Sequence, residues 1–194
     1  MSIRIKDQKI ISLILAGDST VGKTSLIRSF NNEKFLEKNV STIGIEVYEK
    51  NISINNEVCS IKIWDTCGQE RFRSLASNYY KRADGVVLLY DISSIASFNN
   101  LEYWLKSIQS YCKRDIPIII IGNKLDLGDE INEEIFNKFI SEHSNIPIFK
   151  TSAKNGDGVN EAFYNIAQKI YDFKSEYQII ELSDKFDSNY SKSC

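Results

Sequence analysis

An octapeptide near the beginning of the sequence carries the residue types of an anion-binding loop. Gly17-Asp18-Ser19-Thr20-Val21-Gly22-Lys23-Thr24 matches the pattern G-x-x-x-x-G-K-[ST], after an apolar run and before a helical segment. Glycines let backbone N–H groups turn toward a phosphate, the helix amino terminus adds partial positive charge, and Lys23 adds a full one. The Thr24 hydroxyl suits Mg²⁺. An alternative in which Gly17 and Gly22 only shape a turn leaves Lys23 and Thr24 unexplained. The residues expected to bind the phosphates are Asp18, Ser19, Thr20, Val21, Gly22, Lys23, Thr24 and Ser25.

A second motif, Asp65-Thr66-Cys67-Gly68-Gln69-Glu70, begins at the end of the run SIKIWD. A carboxylate at a strand end can hold Mg²⁺ through its water shell, so we expect Asp65 to share the metal with Thr24. Alone, such an aspartate is more often a helix N-cap, and the residues that follow favour the metal. Gly68 lets a backbone N–H approach a terminal phosphate, and Gln69 is placed to orient an attacking water.

Two further loops indicate which nucleotide base the chain binds. Asn123-Lys124-Leu125-Asp126 follows the run PIIIIG directly, and Thr151-Ser152-Ala153-Lys154 follows the last predicted strand. Guanine presents two N–H donors on one edge that the Asp126 carboxylate can accept, whereas adenine has no such pair and would leave a buried charge unsatisfied. In isolation the first tetrapeptide would be an ordinary surface loop. Together with the phosphate loop it predicts GTP and GDP as ligands, with Mg²⁺.

The elements that must position these loops are strands of near-continuous hydrophobicity, which is typical of a parallel sheet covered on both faces. Helical spacing is clearest in Ser97–Cys112 and Val159–Phe173, and EVYEKNISIN (46–55) alternates like an edge strand that turns back through Asn55-Asn56. The buried strands are predicted in IISLILAG (10–17), SIKIWD (60–65), GVVLLYD (85–91), PIIIIGN (117–123) and IPIFKTS (146–152). We therefore predict the α/β class: one P-loop NTPase domain whose doubly wound, mostly parallel six-stranded sheet has helices on both faces and one antiparallel edge strand.

Length and composition set further bounds. The 194 residues suit one domain, placed at 1–174 with a flexible tail over 175–194, and the net charge of -2 argues against nucleic-acid binding. The sequence shows neither a signal peptide nor an apolar run long enough for a membrane span, so we expect a cytoplasmic protein. Four widely spaced cysteines, with no C-x-x-C pair, favour reduced thiols over disulfides or a zinc site.

In this order and at these spacings the motifs resemble those of the Ras superfamily of small GTPases over roughly residues 8–174. Additional segments resemble the Rab family. They are Ser41-Thr42-Ile43-Gly44-Ile45-Glu46, Arg71-Phe72-Arg73-Ser74-Leu75, Tyr79-Tyr80-Lys81-Arg82-Ala83 and Leu89-Tyr90-Asp91-Ile92-Ser93.

The resemblance implies roles around the nucleotide. Thr42, in the first switch segment, would join Thr24 and Asp65 as a magnesium ligand and sense the γ-phosphate. Phe35 would lie edge-on to guanine, and Asn123 would brace the phosphate loop. The other base contacts would be Ser152 holding Asp126 in place, the Ala153 N–H on the guanine carbonyl, and Lys124 and Lys154 covering the base and ribose.

The resemblance also implies a function: a monomeric GTP hydrolase that switches between two shapes and regulates vesicle traffic. Gln69 and Lys23 would be the catalytic residues. The implied partners are a guanine-nucleotide exchange factor, a GTPase-activating protein, a GDP-dissociation inhibitor or escort protein, and effectors on the switch segments. Two rivals stay open: a metabolic kinase or ATPase, disfavoured by Asn123 to Asp126, and a nucleotide-bound scaffold with little turnover.

Several residues depart from the Rab pattern. Val47 removes an aromatic usually stacked near Trp64 and Tyr79, which affects the choice of effector. Asn39 replaces a common aromatic, Arg82 a glycine and Cys67 an alanine. Rabs usually end in two prenylated cysteines, whereas here the only candidate is Cys194. A single prenyl chain there would give a weak, reversible anchor to the cytosolic face of an internal membrane, and an unmodified Cys194 is the alternative.

Overall fold

The computed structural model describes residues 9–37, 42, 44–66, 78–112 and 116–190, with the backbone alone from 177 onwards. Six strands in the described residues form one sheet in the order β2-β3-β1-β4-β5-β6. The strands are β1 (Lys9–Ala16), β2 (Ile45–Ile54), β3 (Glu57–Thr66), β4 (Gly85–Asp91), β5 (Ile118–Asn123) and β6 (Ile148–Lys150). The helices are α1 (Lys23–Phe30), α2 (Ile95–Asn99), α3 (Leu101–Tyr111), α4 (Glu133–Glu142) and α5 (Val159–Tyr190), with a 3₁₀ turn at Leu125–Leu127.

All neighbouring strands run parallel except β2 and β3, which pair antiparallel from Ile45 opposite Thr66 to Ile54 opposite Glu57. Their hairpin turns at Asn55 and Asn56, which adopt positive φ angles of 51° and 63°. Asparagine tolerates this conformation, and two such residues in succession make the turn that matches the twist of a hairpin. The predicted antiparallel edge strand and its turn are confirmed.

The two faces of the sheet explain the near-continuous hydrophobicity of its strands. In β4, Val87 and Leu89 enter one core with α1 and α5, whereas Val86 and Leu88 enter a second core with α2, α3 and α4. Strand β1 divides in the same way. Because alternate side chains of a strand point to opposite faces, a strand covered on both sides needs apolar residues at every position. The predicted doubly wound sheet with helices on both faces is confirmed.

Three predicted boundaries differ. The segment Ser97–Cys112 forms two helices, α2 and α3, separated at Asn100, and α2 begins at Ile95 behind the Ser94 cap. Strand β6 covers only Ile148–Lys150 of the predicted 146–152. Helix α5 continues past Phe173 to Tyr190, and the division at residue 174 stays a prediction. These differences leave the predicted site residues at the carboxyl ends of the strands.

Candidate nucleotide-binding site

The phosphate loop joins β1 to α1 and is shaped by two glycines with positive φ, Gly17 at 128° and Gly22 at 96°. A Cβ at Gly17 would collide with the Leu89 carbonyl oxygen, and one at Gly22 with the Asn123 side-chain amide. Any other residue would therefore push the loop off β4 and β5. Inside the loop Lys23 is only 6% exposed, and its Nζ donates to the carbonyl oxygens of Gly17 at 2.9 Å and Asp18 at 2.6 Å. The ammonium is thus held at the centre of the loop.

Two further residues of the loop, Asp18 and Thr20, have features that the sequence does not predict. The Asp18 carboxylate accepts hydrogen bonds from Trp104 Nε1 at 2.8 Å and from Asn100 Nδ2 at 2.7 Å. The side chain therefore links the loop to the start of α3, and the phosphate contact of Asp18 stays a prediction. Thr20 has a φ of 67°, an uncommon and strained conformation for a β-branched residue. Asn100 and Trp104 therefore hold the loop from outside it.

Three oxygen-bearing side chains meet beside the loop. Thr24 Oγ1 donates to Asp65 Oδ2 at 2.5 Å and lies 2.9 Å from Thr42 Oγ1, and the Thr42 hydroxyl donates to the same carboxylate oxygen at 3.4 Å. The second oxygen, Asp65 Oδ1, is buried and makes no hydrogen bond within the described part of the chain. Burial raises the pKa of Asp65, although Thr24 and Lys23 oppose the shift. A hard cation would relieve this buried charge, and the all-oxygen donor set fits Mg²⁺.

The two predicted base loops are joined through Asn123, which is 1% exposed. Its Nδ2 donates to the Val21 carbonyl at 2.9 Å, while its Oδ1 accepts from Thr151 Oγ1 and from the Ala153 N–H, each at 3.1 Å. One side chain thus links the phosphate loop to both base loops. Ser152 Oγ donates to Asp126 Oδ1 at 2.6 Å and fixes that carboxylate. The bracing by Asn123 and the hold of Ser152 on Asp126 have the geometry that the resemblance implied. The Ala153 N–H donates to Asn123 in this structure, and its contact with the guanine carbonyl stays a prediction.

The remaining predicted residues fall into two groups. Phe35 is 40% exposed, Lys154, Ser19 and Thr20 are exposed, and Ser25 is half-buried, so their roles stay predictions. Gly68, Gln69 and Cys194 lie outside the described residues, as do Asn39 and Cys67. Of the switch surface, Trp64 and Tyr79 pack edge to face at 5.6 Å, and Val47, opposite Trp64 in the sheet, is 59% exposed.

A mostly parallel, doubly wound sheet with a phosphate loop after its first strand and the base loops after β5 and β6 defines a nucleotide-binding class of proteins. Residues 12–172 match the model of the Ras family. Among the chain's relatives are two proteins of Dictyostelium discoideum. The Ras-related protein RabG2 is 37% identical over 86% of this chain and 85% of its own length, and the Ras-related protein Rab-1D is 34% identical over 96% and 92%. The Ras-related protein SEC4 of Saccharomyces cerevisiae is 32% identical over 94% of this chain and 85% of its own.

The chain belongs to the Ras family of small GTPases, and within this family it is similar to the Rab proteins. Members of this family bind guanine nucleotides and are GTP hydrolases, so the predicted family, fold and enzyme class are confirmed. Over the described residues, no helix combines the length and the hydrophobicity that crossing a membrane requires.

Proposed function

We propose that the chain is a Rab-type switch that binds GTP and GDP, with Mg²⁺, at the carboxyl edge of its sheet and regulates vesicle traffic through effectors. The observation that carries the nucleotide assignment is the hydrogen bonding of Asn123, whose side chain reaches the Val21 carbonyl, Thr151 and the Ala153 N–H. This link supports a single ligand that spans the phosphate loop and the base loops. Asp126, held by Ser152, would accept the two guanine N–H donors.

In the proposed hydrolysis a water attacks the γ-phosphate in line with the leaving GDP oxygen. Gln69 would orient this water, and Lys23, at the centre of the phosphate loop, would stabilise charge on the transferred group. Thr24, Thr42 and Asp65 would hold Mg²⁺, which when bound neutralises charge on the phosphate oxygens. The sequence places no arginine recognisably as a finger in cis, so the proposed intrinsic rate is slow, and an activating protein would supply the missing charge.

The switch would follow from the position of Thr42. Its hydroxyl shares Asp65 with Thr24, so the first switch segment and the end of β3 meet at the proposed magnesium site. Gain or loss of a γ-phosphate there would order or release both segments. The proposed partners are an exchange factor, an activating protein, a GDP-dissociation inhibitor or escort protein, and effectors that contact Val47, Trp64 and Tyr79. Prenylation of Cys194 would give the reversible membrane contact.

The test is analysis of the nucleotide that co-purifies with the chain, followed by single-turnover GTP hydrolysis by the parent and by Gln69→Leu. We expect bound GDP, no competition from ATP, and slower hydrolysis by the variant. Absence of guanine nucleotide would overturn the proposal. GDP binding without measurable turnover in either protein, even with an activating protein added, would instead favour the scaffold.

A further inference from the structure

A buried aspartate outside every predicted motif role contacts a lysine of the base loops. Asp91, at the end of β4, is 8% exposed, and its Oδ2 lies 2.6 Å from Lys124 Nζ. Its Oδ1 accepts from the backbone N–H of Ser93 at 3.0 Å and from the Ser93 hydroxyl at 2.6 Å. Because each carboxylate oxygen has its own donors, Asp91 is fixed in orientation and directs one oxygen at the lysine.

Lys124 is held at both ends of its side chain. Its backbone adopts a positive φ of 71° at the start of the 3₁₀ turn, and the next residue, Leu125, donates its N–H to the Thr151 carbonyl at 2.9 Å. The ammonium ends on Asp91, which faces Asn123 across the β4–β5 pair. Burial alone would raise the pKa of Asp91, but the hydrogen bonds from Lys124 and Ser93 outweigh it and hold the pKa below its usual value. The carboxylate is therefore charged at neutral pH.

We infer that Asp91 is a positioning residue for guanine-nucleotide binding, which acts by holding the Lys124 side chain where it covers the base and ribose. The inference rests on the proposed nucleotide site. A lysine has a long, flexible stem, and ordering it costs conformational entropy each time a ligand binds. An aspartate that orders the stem in advance removes this cost from the binding step. Loss of Asp91 should therefore speed nucleotide release.

The structure offers a matched control. Asp129 has a similar ion pair at a more exposed position: one carboxylate oxygen accepts from the N–H two residues later, Ile131, at 3.0 Å, and the other lies 2.6 Å from Lys150 Nζ. Its hydrogen bonds likewise outweigh burial and lower its pKa. Neither Asp129 nor Lys150 has a predicted contact with the nucleotide. Asp129→Asn therefore reports the general effect of neutralising an aspartate in such an ion pair.

The experiment measures GDP dissociation from the full chain, with a fluorescent GDP displaced by excess unlabelled GDP, for Asp91→Asn, Asp129→Asn, Lys124→Met and the double variant Asp91→Asn/Lys124→Met. We expect Asp91→Asn to speed release about tenfold, equivalent to about 1.4 kcal/mol. The control should stay within about twofold of the parent, which is under about 0.5 kcal/mol by the same conversion. In the Lys124→Met background Asp91→Asn should change the rate by less than about twofold, because its partner is gone.

A purely structural role predicts the opposite pattern. Asp91→Asn would then speed release equally with and without the Lys124 ammonium, and the inference would be wrong. It would also be wrong if Asp91→Asn matched the control, or if it slowed release, since the aspartate would then compete with the nucleotide for the lysine. A parent chain that holds no GDP would overturn the proposed function as well, whereas the other outcomes overturn this inference alone.

Discussion

The two sides of the candidate site differ in how far the fold completes them. On the base side (Asn123, Lys124, Asp126, Ser152 and Ala153), hydrogen bonds or an ion pair within the chain hold each polar group in place, the Ala153 N–H by donating to Asn123 Oδ1. On the metal side (Thr24, Thr42 and Asp65), two hydroxyls crowd one carboxylate oxygen, while Asp65 Oδ1 is buried without a hydrogen bond in the described region. The protein alone pre-organises the base side, whereas the metal side has oxygen atoms that a bound cation would satisfy.

This difference matters for a switch. A base side that keeps one geometry can hold GDP and GTP equally, because both carry the same base. A metal side whose donors are satisfied by the ligand can respond to one additional phosphate. The shape change is then confined to the segments that contain Thr42 and Asp65, and the predictions that follow test this division.

The largest expected effect is the loss of guanine binding on removing Asp126. Asp126→Ala deletes a charged acceptor for two N–H donors, each such bond being worth about 1.5–3 kcal/mol, so GDP affinity should fall about a thousandfold. Isothermal titration with GDP measures the loss, and Asp129→Ala serves as the control. An affinity within tenfold of the parent would mean that the base is recognised elsewhere.

The next effect is on the free energy of unfolding, which should fall more for a base-side variant than for a metal-side variant. Asn123→Ala leaves the Val21 carbonyl, Thr151 hydroxyl and Ala153 N–H without their buried partner, and should lower the free energy of unfolding by about 3 kcal/mol. Thr24→Ala removes one donor from the Asp65 carboxylate and should cost about 1.5 kcal/mol, the low end for a hydrogen bond to a charged group, because the Thr42 hydroxyl still donates to the same oxygen. Urea unfolding of the nucleotide-free proteins gives both values. Equal losses would contradict the view that only the base side is built by the fold.

The smallest expected effect is on the rate of GDP release when Mg²⁺ is removed. Chelation of Mg²⁺ should speed GDP release from the parent by at least about tenfold. Changing a residue that only supports a metal ligand commonly costs about tenfold in metal affinity or activity, and chelation removes the metal altogether. Thr24→Ala should release GDP at one rate with and without the chelator. Stopped-flow measurement of GDP release checks this, with Ser152→Ala as a base-side control that keeps its response to magnesium. A Thr24→Ala protein that still responds fully would remove Thr24 from the metal side.

Much of the fold is predictable because its signals are local. The apolar runs of β1, β4 and β5 predict strands that are buried on both faces, which the structure confirms. The Asn55-Asn56 pair predicts the hairpin turn. The motif residues then follow each strand, and the parallel arrangement brings Asn123, Ser152 and Ala153 to one edge. The fold and the family can therefore be predicted from the motifs and their order, and the roles of the residues on that edge stay predictions.

What the sequence does not reveal are contacts between distant side chains. The tie from Asp18 to Asn100 and Trp104 joins residues 82 and 86 positions apart, and no periodicity encodes such a pairing. Asp91 ends the predicted strand GVVLLYD (85–91) and lies in a segment that resembles the Rab pattern, and its place at a strand end is the one signal in the sequence that it bears on the site. Helical spacing does not reveal the break at Asn100 either, because the Asn100 N–H donates to the Ala96 carbonyl and the Trp104 N–H donates to the Asn100 carbonyl across it.

The most direct test of the central claim compares hydrogen exchange of the chain loaded with GDP and with a non-hydrolysable GTP analogue, both with Mg²⁺. We predict that peptides containing Thr42 and Asp65 become more protected with the analogue, while peptides spanning residues 119–126 and 150–156 exchange at the same rate in both states. Equal exchange throughout, or a change on the base side as large as that on the metal side, would contradict a switch confined to the metal side.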